Sequence, residues 1–126
     1  VKLIWHAFED MKGGEIYVKK NPSMKVIDVA TAVDEKCKHE EVGIRPGEKL
    51  HEQMIGEEDA ASTFEYNEHY KILPAINGWG QDPERIKDGC LVAPDFIYNS
   101  ATNDQWMSVD DLVNWISVNQ HKLGTI

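Results

Sequence analysis

The sequence predicts an α/β fold in which helices pack on a small mixed sheet. Apolar residues recur at helical spacing near both ends of the chain. Between them, short segments alternate apolar and polar residues, as strands do. The 126 residues are 41% hydrophobic and 28% charged, which is ordinary for a soluble domain. We therefore predict one globular unit over residues 1–126.

The first third of the chain is predicted to run helix, strand, helix. A helix over 1–12 has an apolar stripe and ends at two glycines. A strand over 15–19 follows. Ser23 is placed to cap a helix that continues to about Val33. The first helix has no capping residue before it and the chain has no initiator Met, so we expect the sequence to be part of a longer protein.

The middle of the chain is predicted to hold a strand over 41–44, a short helix over 49–55 and a hairpin over 63–73. Residues 74–95 contain three of the five prolines and no sustained period. This composition is typical of a long loop, and we treat 75–95 as a loop or insertion.

The last helix is predicted from a capping box formed by Ser108 and Asp111. The aromatic residues are expected to pack in the core. The first helix would normally pack against another part of the longer protein, and without that part its apolar side chains would form an exposed patch that drives self-association. The aromatic residues concerned are Trp5, Phe8, Trp106 and Trp115.

Charge and cysteine content restrict the function. The net charge of −9 repels nucleic acid and anionic lipid, although one arginine can still hold a single diphosphate. Cys37 and Cys90 are too few for a disulfide framework, and no apolar run is long enough to span a membrane. We therefore expect a cytoplasmic protein with no nucleic-acid or membrane partner.

The segment 43–52, GIRPGEKLHE, is the most specific feature of the sequence. Arg45 at a strand end would offer a planar set of donors to phosphate oxygens, and Pro46 and Gly47 would turn the chain into a helix N-terminus. Glu48 is placed to accept from ribose hydroxyls. The alternative is an exposed turn in which Arg45 pairs with a nearby carboxylate, and the residues alone leave both open.

A metal site could use Cys37, His39, His51 and Glu52. It is disfavoured because no second histidine follows His51 at ligand spacing, and because Cys37 and His39 face opposite ways in an extended chain. We predict no metal site. His6, His69 and His121 are interpreted as partly exposed structural residues.

Four segments together resemble the C-terminal third of inverting UDP-N-acetylglucosamine 4,6-dehydratases of the extended short-chain dehydrogenase family. They are GEIYVKK at 14–20, PSMK at 22–25, GIRPGEKLHE at 43–52 and NDQWMSVDDL at 103–112. The resemblance covers most of 1–73 and 96–117, whereas 75–95 depart from it.

The resemblance implies that this chain is a substrate-binding domain whose Rossmann domain, with its NADP and Tyr-x-x-x-Lys pair, lies upstream. The whole enzyme would be a lyase of surface-polysaccharide or nonulosonic acid biosynthesis and a homo-oligomer. This chain would hold the UDP-sugar, contain no catalytic residue, bind no cofactor and be inactive alone. The implied substrate-binding residues are Met24, Arg45, Pro46, Gly47 and Glu48.

Two other functions remain open at this point. The same domain could belong to a nucleotide-sugar 4-epimerase or reductase, or it could be a stand-alone scaffold without catalytic function. The sequence upstream of Val1 would separate these alternatives.

Overall fold

A computed structural model describes residues 1–123, which form two compact units. The first unit comprises 1–21 and 53–102, and the second comprises 22–52 together with the described residues from 103 onward. The helices are α1 (Lys2–Asp10), α2 (Val26–Val33), α3 (Pro83–Ile86) and α4 (Val109–Leu123), with 3₁₀ turns at Glu57–Ser62 and Trp79–Gln81. The strands are β1 (Ile16–Lys19), β2 (Gln53–Ile55), β3 (Thr63–Glu65), β4 (His69–Ile72), β5 (Cys90–Leu91) and β6 (Tyr98–Asn99).

The first unit is built on a four-stranded sheet with the order β1-β4-β3-β5, beside which β2 pairs with β6. These strand pairs are all antiparallel. The α/β class is therefore confirmed, with antiparallel rather than mixed sheets. The predicted hairpin over 63–73 is confirmed as β3 and β4.

The two faces of this sheet differ in chemistry. Val18, Tyr70 and Ile72 lie on one face and form the hydrophobic core with Ile55. Because side chains alternate along a strand, the neighbouring residues of β1 and β4 lie on the opposite face. That face is polar, and it holds Tyr17 opposite Lys71 and Lys19 opposite His69.

The second unit contains α2 and α4, which pack together. Ser23 does not cap α2, contrary to prediction, because its backbone forms a bridge to the segment before α4. Ser23 N donates to Gln105 O at 2.8 Å, and Met107 N donates to Ser23 O at 2.9 Å. Asn103 also donates to the Ser23 hydroxyl at 3.0 Å, so the residue before α2 is Lys25 instead.

The capping box of α4 forms as predicted. Asp111 N donates to the Ser108 hydroxyl at 3.2 Å, and the Asp111 carboxylate accepts from Ser108 N at 2.9 Å. Both orphan donors are thus satisfied reciprocally.

The strand predicted over 41–44 and the helix predicted over 49–55 are wrong. Residues 38–54 are all exposed, and 53–55 form a strand. Gly43 has a φ angle of +77°, which interrupts the strand predicted over 41–44. The apolar side chains Ile44 and Leu50 are 61% and 79% exposed, so no packing stabilises the strand or the helix that local periodicity predicts.

The segment 75–95 is more regular than the predicted long loop, because it contains a 3₁₀ turn, α3 and β5. Asp82 caps α3 by accepting from Glu84 N at 2.9 Å, and Pro83 occupies its first turn. These elements are too short for a sequence period to reveal them.

The aromatic residues predicted to lie in the core are instead exposed. Trp5 and Phe8 are 65% and 68% exposed, and Trp106 and Trp115 are 46% and 49% exposed. The apolar patch expected on the first helix is therefore present, while the self-association expected from it stays a prediction.

Candidate functional site

The predicted phosphate-binding residues lie in a closed turn of the second unit. Arg45 N donates to Glu48 Oε2 at 2.9 Å, and Glu48 N donates to Arg45 O at 3.0 Å. Pro46 and Gly47 occupy the turn between them, and Gly47 has the positive φ that glycine tolerates best. Neither a strand end nor a helix N-terminus carries Arg45, contrary to prediction.

The guanidinium of Arg45 faces solvent. Its side chain is 79% exposed, and its Nε lies 3.9 Å from Glu48 Oε1, at the outer limit of an ion pair. A pair of this kind contributes about 0–1 kcal/mol. The structure therefore shows the exposed turn in which Arg45 pairs with a nearby carboxylate, which was the alternative prediction. The donors of Arg45 remain accessible to an anion.

Met24 and Glu48 occupy different parts of the second unit. Met24 precedes α2 and is 40% exposed, whereas Glu48 closes the turn at Arg45 through its carboxylate. The four residues 45–48 are thus brought together, and Met24 is placed separately in the chain. Binding by these five residues stays a prediction.

A buried charge cluster lies in the first unit, on the polar face of the sheet, and was not predicted from the sequence. Asp10 at the end of α1 accepts from Lys71 Nζ at 2.7 Å, from the Tyr17 hydroxyl at 2.6 Å, and from Lys87. The Asp10 and Lys71 side chains are only 6% and 2% exposed. We name Asp10, Tyr17, Tyr66 and Lys71 the Asp10 cluster.

The cluster shifts the acidity of its members. Burial alone would raise the pKa of Asp10, but hydrogen bonds from Lys71, Lys87 and Tyr17 outweigh it and hold that pKa well below its ordinary value. Burial and the negative charges of Asp10 and Asp88 raise the pKa of Tyr66 to about 12. Burial and the bond to Asp10 likewise raise the pKa of Tyr17.

A second buried ion pair connects 75–95 to the start of β1. Arg85 Nη1 donates to Glu15 and to Gly13 O, the latter at 3.1 Å, and the guanidinium lies 4.1 Å from the Trp79 ring centre. Its Nε lies 3.3 Å from Asp82 Oδ2. The Arg85 and Glu15 side chains are 6% and 2% exposed, so this arginine is structural.

Glu15 is held by backbone as well as by Arg85. It accepts from Lys12 N at 3.1 Å and from Gly13 N at 2.7 Å. Burial opposes ionisation, but these bonds and the Arg85 charge lower the pKa of Glu15. The carboxylate thus fixes the turn between α1 and β1.

Cys37 and His39 lie close together, which corrects the expectation that they face opposite ways. Cys37 Sγ is 3.1 Å from His39 Nε2. Over the described part of the chain, no group of three or more potential ligands is assembled to hold a metal ion. None of the described helices combines the length and apolar character that crossing a bilayer requires.

The alternation of β1 and β4 is a signal that could have identified the Asp10 cluster. If Val18, Tyr70 and Ile72 are on the core face, then Tyr17 and Lys71 must share the other face. Arg85 has no such signal, because its partner Glu15 is distant in the sequence.

Comparisons with known proteins identify the family of this chain and several relatives. A family model described as "Polysaccharide biosynthesis protein" matches residues 1–74. The UDP-N-acetylglucosamine 4,6-dehydratase (inverting) of Campylobacter jejuni subsp. jejuni serotype O:23/36 (strain 81-176) is 38% identical over 93% of this chain and 36% of its own length. The UDP-glucose 4-epimerase of Rickettsia canadensis (strain McKiel) is 33% identical over 57% of this chain and 22% of its own length.

A solved structure shares the architecture. Pen from Bacillus thuringiensis superposes with a TM-score of 0.77 over 94% of this chain and 36% of that structure, at 24% identity. At that identity the likeness is one of fold. The chain thus spans about a third of the length of the Campylobacter jejuni dehydratase and of Pen.

Proposed function

Since the chain belongs to the polysaccharide biosynthesis protein family, we propose that it is the UDP-sugar-binding part of a nucleotide-sugar 4,6-dehydratase acting on UDP-N-acetylglucosamine. The observation that carries the proposal is the 38% identity to the Campylobacter jejuni inverting dehydratase over 93% of this chain. That relative is much longer, so the complete reaction is assigned to a longer protein.

The cofactor of the proposed enzyme is NADP, bound outside these 126 residues. This chain contains neither a Gly-x-x-Gly-x-x-Gly loop nor a Tyr-x-x-x-Lys pair. NADP would supply reversible hydride transfer to and from the sugar. The residues of this chain bind and orient the UDP-sugar, and the chain alone is inactive.

Arg45 is the proposed phosphate anchor. Of the two arginines in the sequence, Arg85 is buried against Glu15, which leaves Arg45 with donors facing solvent. Glu48 holds the backbone of the turn, and its carboxylate lies close enough to share a ligand with Arg45. A charge-assisted hydrogen bond contributes about 1.5–3 kcal/mol, more than the weak surface pair that a diphosphate would replace. Met24 is placed near the nucleotide, and Pro46 and Gly47 shape the turn.

A chimera tests the function directly. Joining this chain to the part of the Campylobacter jejuni dehydratase that it does not match should give an enzyme that converts UDP-N-acetylglucosamine to a 4-keto-6-deoxy sugar nucleotide, followed by NMR. A folded chimera that binds UDP-sugar but forms no such product would contradict the dehydratase assignment.

Substitution of Arg45 in the active chimera tests the site. Arg45→Ala should weaken UDP binding about ten- to a hundredfold, measured by calorimetry, because a charge-assisted contact is lost. Arg45→Lys should recover only part of the affinity, since an ammonium lacks the planar set of donors. Lys49→Ala, a neighbouring exposed cation, is the matched control. Equal affinities for wild type and Arg45→Ala would leave Arg45 as a surface ion-pair residue.

A nucleotide-sugar 4-epimerase is the second candidate. It is favoured by the 33% identity to the Rickettsia canadensis UDP-glucose 4-epimerase, although over 57% of this chain only. The same NMR experiment separates the two, because an epimerase inverts C4 and keeps the 6-hydroxyl. A scaffold without catalytic function would give neither product in any fusion.

The cellular setting follows from the same proposal. A dehydratase that uses NADP and a UDP-sugar acts in the cytoplasm, and we place the protein at an early step of surface-polysaccharide or nonulosonic acid biosynthesis. Its partners are the cofactor-binding domain of the same protein and further copies in a homo-oligomer.

A further inference from the structure

Helix α1 is attached to the sheet by polar groups. No apolar residue of α1 is buried, and its side chains Ile4, Trp5 and Phe8 are 60% or more exposed. Its polar contacts with this face include the buried Asp10 carboxylate and the ring of His6, which lies 5.0 Å from the ring of His69. Because little apolar surface is buried here, the charges at this interface determine how firmly α1 is held.

His69 lies at the centre of that interface and is 7% exposed. Its ring stacks on Tyr66 at 4.7 Å with an interplanar angle of 1°, and Tyr17 lies at 5.7 Å. Its Nε2 has no hydrogen-bond partner among the described residues. A neutral imidazole fits this place, whereas an imidazolium would have a buried N–H without an acceptor.

A buried cation already occupies the same face. The ammonium of Lys71 lies 4.9 Å from the Tyr66 ring centre and 5.7 Å from that of Tyr17, the two rings that pack on His69. Lys71 is two residues from His69 on β4, so both side chains lie on one side of the strand. A proton on His69 would add a positive charge next to the ammonium of Lys71 and the ring of His6.

We propose that protonation of His69 in mildly acidic solution loosens α1 from the polar face of the sheet. The driving force is the repulsion of His69 by Lys71 and His6 together with the unsatisfied N–H. The acidic groups nearby reduce this effect without removing it, because Asp10 already binds three donors.

The sign of the pH dependence follows from the neutral form of His69, which the attached state of α1 favours. Burial first, and then the charges of His6 and Lys71, lower the pKa of His69 below 6.5, and Asp10 and Asp88 oppose this. The state in which α1 is attached to the sheet therefore binds fewer protons than the state in which α1 is loosened. The attachment of α1 should be constant above pH 6.5 and weaken as the pH falls below it. The groups that face His69 are His6 and Asp10 from α1, Tyr17 and Lys19 from β1, Tyr66, Lys71 from β4, and Asp88 after α3. Lys87 acts through Asp10, to which it donates.

Hydrogen exchange of the intact chain tests the proposal. Protection factors, corrected for the intrinsic pH dependence of exchange, are measured by mass spectrometry at pH 7.5 and at steps down to pH 5. The α1 peptide should lose protection by about tenfold over this range, because the loosened state binds the additional proton. The α4 peptide, in the other unit, serves as the internal reference.

His69→Phe keeps the stacked ring and removes the charge, so its α1 protection should stay constant over the same range. An NMR titration of the histidine rings in the wild type provides a second measurement if that variant does not fold. Loss of α1 protection should then follow the titration of His69. Protection that is independent of pH, or that follows His6 alone, or that falls equally in His69→Phe, would overturn the proposal.

Discussion

Arg85 in the first unit and Arg45 in the second show how environment decides the role of one residue type. Arg85 is 6% exposed and is bound by Glu15, Gly13 and Asp82. The side chain of Arg45 is 79% exposed and has one distant carboxylate partner. A buried arginine held in ion pairs stabilises the fold, whereas an exposed arginine can exchange a weak partner for a ligand.

The same contrast extends to whole units. The first unit buries Glu15, Lys71 and Arg85 in ion pairs, and among residues 22–52 and 103–121 no charged side chain is buried. Removing one member of a buried pair leaves an uncompensated charge, whereas an exposed charge is solvated by water. Substitution of a charged residue should therefore cost more stability in the first unit than in the second.

Asp10→Ala should have the largest effect, because it leaves Lys71 buried without its carboxylate. We expect a loss of about 3–5 kcal/mol in the free energy of unfolding of the first unit, measured by urea denaturation with hydrogen exchange of the β4 peptide. Glu84→Ala is the control, because its pair with Lys12 is exposed and contributes about 0–1 kcal/mol.

The effect of Asp10→Ala should depend on pH with a definite sign. The pKa of Asp10 is lowered in the folded chain, so its contribution is complete above 3.8 and is lost as the pH falls below that value. Equal stability of Asp10→Ala and wild type at pH 7 would show that the cluster is not formed in solution.

Arg85→Met should cost about 3 kcal/mol, at the lower end of the range for a broken buried pair. The smaller value is expected because Glu15 keeps two backbone donors, Lys12 N and Gly13 N. The measurement is the same, with the peptide over 83–91 as the reporter. A loss below about 1 kcal/mol is typical of an exposed pair. It would mean that Arg85, like Arg45, contributes little to the free energy of unfolding.

Ser108→Ala should cost about 1 kcal/mol by removing the cap of α4. The effect should appear in the α4 peptide and leave the β4 peptide unchanged, because the two peptides belong to different units. Ser117→Ala, an exposed position within α4, is the matched control. Equal effects of the two serine substitutions would mean that the capping box contributes no stability.

Arg45→Ala should have the smallest effect on stability, under about 0.5 kcal/mol, as for exposed positions in general. The same substitution is expected to weaken UDP binding in the chimera. Thermal unfolding of the isolated chain measures the first quantity. A large destabilisation by Arg45→Ala would show that its turn is structural and would make the binding experiment ambiguous.

Local signals in the sequence predicted the elements that local interactions determine. The capping box at Ser108 and the hairpin over 63–73 each rest on residues close together in the chain, and both formed. The apolar stripe of α1 likewise gave the right helix. In these segments, interactions between residues close in the sequence are enough to determine the element, even in α1, whose apolar stripe is exposed.

Elements that depend on distant partners were missed. β2 is a strand because it pairs with β6, and nothing in residues 49–55 contains that information. Arg85 was placed in an irregular insertion because Glu15, its partner, lies at the start of β1. The binding turn at Arg45 was identified by composition, but the strand and helix expected around it have no apolar contacts to stabilise them.

The burial of Lys71 makes one amine in this chain chemically distinct. The sequence has eleven lysines, and the ammonium of this one is 2% exposed beneath α1. An amine-reactive reagent such as an acid anhydride must reach the nitrogen, and this nitrogen is both covered and engaged by the Asp10 carboxylate. Acylation of the folded chain should therefore spare position 71, and its labelling would record each opening of the helix above it.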